Sequence, residues 1–181
     1  MPVILPVEGK HPQFGGNCFI APNATIVGDV VAGEDCSFWF NTVVRGDVNF
    51  IKMGNKVNVQ DGACIHCTFQ KYGTTIGSNV SIGHHAIVHG CTLHDNVLIG
   101  MGAIVMDGAV IGEDSVVGAG ALVVEGMIVQ PKSVILGSPG RVRRTVSEAE
   151  LVWIKQSAEN YVKYANQYLD NSSKAKPGFR I

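Results

Sequence analysis

The sequence predicts an all-β solenoid with one α-helix packed along it, and three observations carry that prediction. Apolar residues return at every sixth position over most of the chain, and glycine supplies 22 of the 181 residues. Near the C-terminus the six-residue period gives way to an apolar stripe of helical spacing. Segments such as VIGEDS, VVGAGA and LIGMGA follow one template: an apolar residue, often Gly, two variable residues, a small residue and one more variable residue.

Taken in order, the repeat starts fall on every sixth residue from Ile20 to Val44, from Met53 to Ile65, from Ile76 to Val88 and from Leu93 to Ile135. Four residues after most starts stands a small or β-branched residue, as at Ala24, Val30, Thr42, Ala63, Val80, Ala86, Thr92, Ala103, Ser115 and Ala121. Both sites are expected to point inward from short strands, joined by turns in which Gly takes a positive φ without a Cβ clash. The register breaks three times: nine residues separate Val44 from Met53, eleven separate Ile65 from Ile76, and five separate Val88 from Leu93. Each break lies beside a charged residue or a histidine, and loops extruded from a rigid solenoid are a usual place for function.

After Ile135 the repeat stops at GSPGRVRR, so 1–140 reads as the solenoid and 141–181 as a helix and tail of the same domain. Ser147-Glu148-Ala149-Glu150 has the form of a capping box that opens a helix. Leu151, Ile154, Ala158, Tyr161, Ala165, Tyr168 and Leu169 recur at spacings mostly of three or four, a stripe expected to face the solenoid. Residues 171–181, rich in Ser, Lys and Gly, are expected to be loosely held.

A content of 46% hydrophobic and 16% charged residues fits one globular domain. A net charge of -1 leaves no electrostatic footprint for nucleic acid or an acidic membrane surface. No run of about 18 apolar residues occurs, and MPVILPVEGK lacks a basic and then apolar leader pattern, so the chain is expected in the cytoplasm, off membranes. Cys18, Cys36, Cys64, Cys67 and Cys91 are odd in number and scattered, as expected of free thiols in a reducing compartment.

The six-residue template resembles the hexapeptide-repeat family, which implies a left-handed parallel β-helix with three hexapeptides per coil, against the usual right-handed crossover. On such a coil, positions three repeats apart stack at roughly 4.8 Å. His66 and His89, each second in its repeat, then share a corner with Arg45, and Asp47 lies two residues on. His84, Gln60 and Asp61 occupy a different corner. The chain between His84 and His89 spans about 16 Å, whereas zinc to imidazole bonds are only about 2.0–2.1 Å. A metal bound by all three must therefore lie between two copies of the chain, as in a homotrimer whose His66/His89 corners face the His84 corners of neighbouring protomers.

An isolated histidine in a β-rich chain is commonly a hydrogen-bonded or surface residue, and His11, His85 and His94 are read that way. Cys64 and Cys67 form a CxxC around His66, but no second CxxC exists to complete a thiolate site.

VVRGD, NVQDG followed by CIH, and IGHHAIVHG together resemble the γ-class carbonic anhydrases, over the solenoid and the C-terminal helix. The resemblance implies a homotrimer that hydrates CO₂ reversibly to bicarbonate, with His66, His84 and His89 holding Zn²⁺, or Fe²⁺ or Co²⁺ in its place. It assigns Arg45 and Asp47 to an interface ion pair, and Asn58, Gln60 and Asp61 to the surroundings of the metal-bound solvent. Three neutral imidazoles leave a fourth position for a water whose pKa falls to about 7.

The chain departs from the family in one respect. High-activity members carry proton-moving glutamates, one of them directly after the RGD, where this chain has Val48, and the loop CTFQKYGTT contains no acid. Tyr161 or Tyr164 on the helix is the candidate to compensate, with Tyr161 preferred, although a core aromatic on the stripe is the plainer account. Weak turnover is one expectation. An acyltransferase or thioesterase acting on CoA esters, which needs one catalytic histidine rather than three, is an alternative; a non-catalytic metal- or ligand-binding trimer is another.

Overall fold

In the computed structural model, which describes residues 1–172, all repeat starts from Ile20 to Ile135 are buried. Full burial of a Val or Ile side chain contributes about 1.5–3 kcal/mol relative to exposure, so these inward columns hold the coils together. Short strands pair in parallel with strands three repeats away. Ser81–Ile82, for example, lies between Asn58–Val59 and Leu98–Ile99. The result is a parallel β-solenoid of about seven coils with one C-terminal helix.

One face of the solenoid carries an eight-stranded sheet. The other two faces merge into a 12-stranded sheet because Thr25–Ala32 and Val43–Met53 run unbroken through the corner between them. Strands Val3–Leu5 and Gln13–Phe14 pair onto Thr25–Ala32, starting the solenoid before the first predicted repeat. At the far end Arg141–Thr145 turns back antiparallel on Ser133–Leu136 and terminates the eight-stranded sheet.

Three sequence expectations change in detail. Glycine is not the main carrier of positive φ in one column of turns, where Asn79, Asn96 and Asp114 have φ of 57°, 55° and 58°. Their side chains bond from coil to coil, Asn79 Nδ2 to Asn96 Oδ1 at 3.1 Å and Asn96 Nδ2 to Asp114 Oδ1 at 3.0 Å. Glycine in the second repeat position has another cause, close stacking: a Cβ on Gly100 would lie 2.5 Å from the Ala119 nitrogen of the next coil.

Thr92 is only half-buried, because the one-residue deletion after Val88 shifts the inward place to Cys91. The break between Val44 and Met53 is not an extruded loop. It is a bulge within Val43–Met53, where the pairing with the preceding coil jumps from Gly28↔Gly46 to Val30↔Ile51.

Helix Glu148–Ser172 opens with the expected capping box. Glu150 N–H donates to Ser147 Oγ at 3.3 Å, and Ser147 N–H donates to Glu150 Oε2 at 2.9 Å. Ile154, Ala158, Ala165 and Leu169 are buried against the solenoid. Tyr168 departs from the stripe: it is 47% exposed and covers the edge of Phe19, Trp39 and Phe40 with its ring. The helix takes in the first residues of the predicted tail, and 173–181 lie outside the described residues. No helix among the described residues is long and apolar enough to cross a membrane.

Candidate metal centre

Strands Cys64–His66 and Ile87–His89 pair with Cys64 opposite Ile87, Ile65 opposite Val88 and His66 opposite His89. Side chains alternate along a strand, so the burial of Ile65 and Val88 turns both histidines outward at the corner. Their rings face each other with His66 Nδ1 3.0 Å from His89 Nε2.

The other nitrogen of each ring meets a carboxylate. His66 Nε2 lies 3.1 Å from Asp47 Oδ1, and Arg45 Nη1 donates to Asp47 Oδ2 at 2.5 Å. His89 Nδ1 lies 2.6 Å from Asp107 Oδ1, and Thr68 Oγ1 donates to Asp107 Oδ2 at 2.7 Å. Burial acts to raise the carboxyl pKa of both acids, but the bonds from Arg45 and His66 hold Asp47 below the usual carboxylate range, and those from Thr68 and His89 do the same for Asp107.

Ionised carboxylates only accept hydrogen bonds. Each ring therefore turns its N–H toward its carboxylate, and the two lone pairs point at each other. Burial, helped by the nearby Arg45 and His89, pushes His66 below the usual imidazole range, which favours the neutral ring that metal binding requires. A metal cation is well suited to bridge the two lone pairs: bonds of about 2.0–2.1 Å in tetrahedral geometry set neighbouring ligand nitrogens roughly 3.3 Å apart. The donor set thus fits two ligands of a metal, and among the described residues of one chain no three His, Cys, Asp or Glu side chains converge to complete it.

His84 stands at another corner with its own acid, Nδ1 2.9 Å from Asp61 Oδ2, and Asp61 Oδ1 also accepts from the Phe40 N–H at 3.3 Å. Beside it Gln60 is anchored through a buried relay, Gln60 Nε2 to Asn58 Oδ1 at 3.0 Å and Asn58 Nδ2 to Ser81 Oγ at 2.8 Å. A cavity of about 420 Å³ between this corner and the helix is lined by Gln60, His84, Met101, Trp153, Ser157 and Tyr161. Of the two tyrosines, Tyr161 reaches the cavity and Tyr164 is exposed elsewhere on the helix. Burial, with the charge of Asp61, pushes the Tyr161 phenol up to about 12.

The structure thus joins Arg45, Asp47, His66 and His89 in one group, and Asn58, Gln60, Asp61, His84 and Tyr161 in another. His11, His85 and His94 are exposed. Cys64 and Cys67 do not form a thiolate pair: Cys64 is half-buried, Cys67 is buried with its thiol on the Asn49 carbonyl, and burial raises the pKa of both. Asp107 and Thr68 are the functional candidates that the sequence reading missed. The repeat count contained a signal, because Asp107 follows the residue stacked above His89.

Residues 90–124 match the family model for bacterial transferase hexapeptide (six repeats). A probable carbonic anhydrase of Methanocaldococcus jannaschii is 52% identical over 81% of this chain and 92% of its own length. γ Carbonic anhydrase 2, a mitochondrial protein of Arabidopsis thaliana, is 37% identical over 95% of this chain, which spans 64% of that protein's length. Among solved structures, a hexapeptide transferase family protein from Anaplasma phagocytophilum superposes with a TM-score of 0.88 at 42% identity, over 92% of this chain and 98% of that one.

Proposed function

The chain belongs to the γ-class carbonic anhydrase family, and we propose that it hydrates CO₂ reversibly at metal sites shared between the protomers of a homotrimer. Its function is carbonic anhydrase-like and its reaction class that of a lyase acting on CO₂. The observation that carries the reading is the pair of facing imidazole nitrogens, His66 Nδ1 and His89 Nε2, 3.0 Å apart with a carboxylate behind each ring. His84, on the other corner with Asp61 behind it, is the ligand that a neighbouring protomer contributes.

The metal is Zn²⁺, with Fe²⁺ or Co²⁺ able to replace it; bound there, it supplies a Lewis acid that ionises water near neutral pH. Gln60 orients the reacting oxygen or the bicarbonate product, and Asn58 keeps its amide from rotating. Arg45 holds Asp47 against His66 and supports the protomer contact. Tyr161 closes the cavity beside His84 as a neutral phenol. Five free cysteines support the cytoplasm as the compartment.

Stopped-flow measurement of CO₂ hydration on protein loaded with zinc or iron tests the activity. Metal-dependent hydration above the uncatalysed rate is expected. A loaded trimer no faster than buffer would leave a metal-binding protein without this activity.

A further inference from the structure

We propose that Asp107, held by Thr68, is the positioning residue for His89, and that the insertion at 67–73 serves to supply that Thr68 contact. The inference rests on the metal reading above and extends it to a residue pair outside the ligand set. Both Asp107 oxygens are committed, Oδ1 to His89 Nδ1 at 2.6 Å and Oδ2 to the Thr68 hydroxyl at 2.7 Å. An acid fixed at both oxygens cannot swing away from the ring. It keeps the His89 proton on Nδ1 and aims the Nε2 lone pair at the point His66 also faces.

The surrounding chain is shaped around this contact. Gly90 follows His89 with φ of 55°, and a Cβ there would lie 2.1 Å from Asp107 Oδ1, so glycine is what lets the carboxylate reach the ring. The insertion leaves the solenoid after His66 and closes on itself, Thr68 N–H donating to the Tyr72 carbonyl at 2.9 Å. Tyr72 lies against Gly108, where a Cβ would approach its ring to 3.2 Å, and the Lys71 ammonium sits 4.7 Å over the Tyr72 ring. Thr74 then ties the return of the loop to the site, its hydroxyl donating to the His66 carbonyl at 2.6 Å and accepting from the Gly90 N–H at 3.0 Å. Asp47 stands behind His66 and Asp61 behind His84; Asp107 gives the remaining ligand its carboxylate.

The test compares wild type, Asp107→Ala, Asp107→Asn and Thr68→Val. Competition with a chelator measures affinity for Zn²⁺ and Co²⁺, and ¹⁵N imidazole spectra of the metal-free proteins report the His89 tautomer. Removing such an outer partner commonly costs about 10–100-fold in metal affinity, the range expected for Asp107→Ala. Asp107→Asn, whose amide oxygen still accepts without charge, is expected to lose less, and Thr68→Val a few-fold. Wild-type His89 is expected to be protonated at Nδ1, with Asp107→Ala shifting it toward Nε2. A merely structural role would lower the melting temperature and move neither readout. An Asp107→Ala trimer with wild-type metal affinity and an unchanged tautomer would overturn the proposal. Should that variant not fold, Thr68→Val and Asp107→Asn are read by the same two measurements. Should wild type bind no metal, the metal reading falls, and the tautomer still decides the role of Asp107.

Discussion

The coils from Val105 to Ile135 keep an unbroken six-residue step, whereas those from Val44 to Leu93 break it three times, and both stretches bury the same kind of inward residue. The difference lies entirely at the corners. In the regular stretch the places equivalent to His89 and His84 hold Met106, Val124 and Ala119, and coil stacks on coil without interruption. In the broken stretch the bulge after Gly46 carries Asp47 onto His66, the insertion carries Thr68 onto Asp107, and the shortened step places Gly90 where a side chain would collide with that acid. The repeat supplies the frame, and each departure from it shapes a carboxylate contact of a corner histidine, that of Asp47 with His66 or that of Asp107 with His89.

The largest effect that can break this comparison comes from the proposed ligands. His66→Ala and His84→Ala proteins are each expected to lose more than about 100-fold in metal affinity, since a site with three protein ligands and one open position is left with only two. Refolding the two variants together is expected to restore a fraction of the sites, because a mixed trimer can pair an intact His66/His89 corner with an intact His84. Metal analysis after co-refolding checks this. Mixed trimers that recover no metal would place the third ligand elsewhere.

How far the sequence could be read follows from the same division. The inward columns were legible because a fixed period and a buried column state the same fact, and stacking of His66 on His89 followed from counting repeats at the three per coil that the family resemblance implies. Two kinds of residue escaped. Cys91 was hidden because counting forward from Val88 ignores the deletion until Leu93 restores the step, so Thr92 took its place in the count. Asp107 and Thr68 were hidden because their meeting joins a regular coil to an irregular loop, and periodicity says nothing about where an insertion folds back. Glycine was read for its φ, while at Gly100 the next coil's backbone is what forbids a side chain.

A middle-sized effect tests whether the frame and the site are separable. Ile135 is fully buried in the last coil, stacked on Val117. Ile135→Ala is expected to cost about 2–5 kcal/mol, measured by chemical denaturation. In a solenoid each repeat touches only its neighbours, so metal affinity is expected to stay within twofold of wild type. A joint fall in stability and metal affinity would mean that the regular coils tension the ligand corner from a distance.

The smallest effect sharpens the role of the helix, which packs on the eight-stranded face and sends only Tyr161 of its two candidate tyrosines into the cavity beside His84. Burial raises the phenol to about 12, so it stays protonated from pH 6 to 9 and changes charge nowhere in the working range. A group that relays protons as acid or base contributes about 10²–10⁴-fold and moves the pH–rate profile when removed. Tyr161→Phe is therefore expected to slow CO₂ hydration by less than about tenfold and to leave the shape of that profile unchanged, because the ring, its packing on Trp39 and the cavity wall all remain. A 100-fold loss with a displaced profile would make Tyr161 the proton carrier that stands in for the absent glutamates, and would move part of the chemistry from the broken coils to the helix.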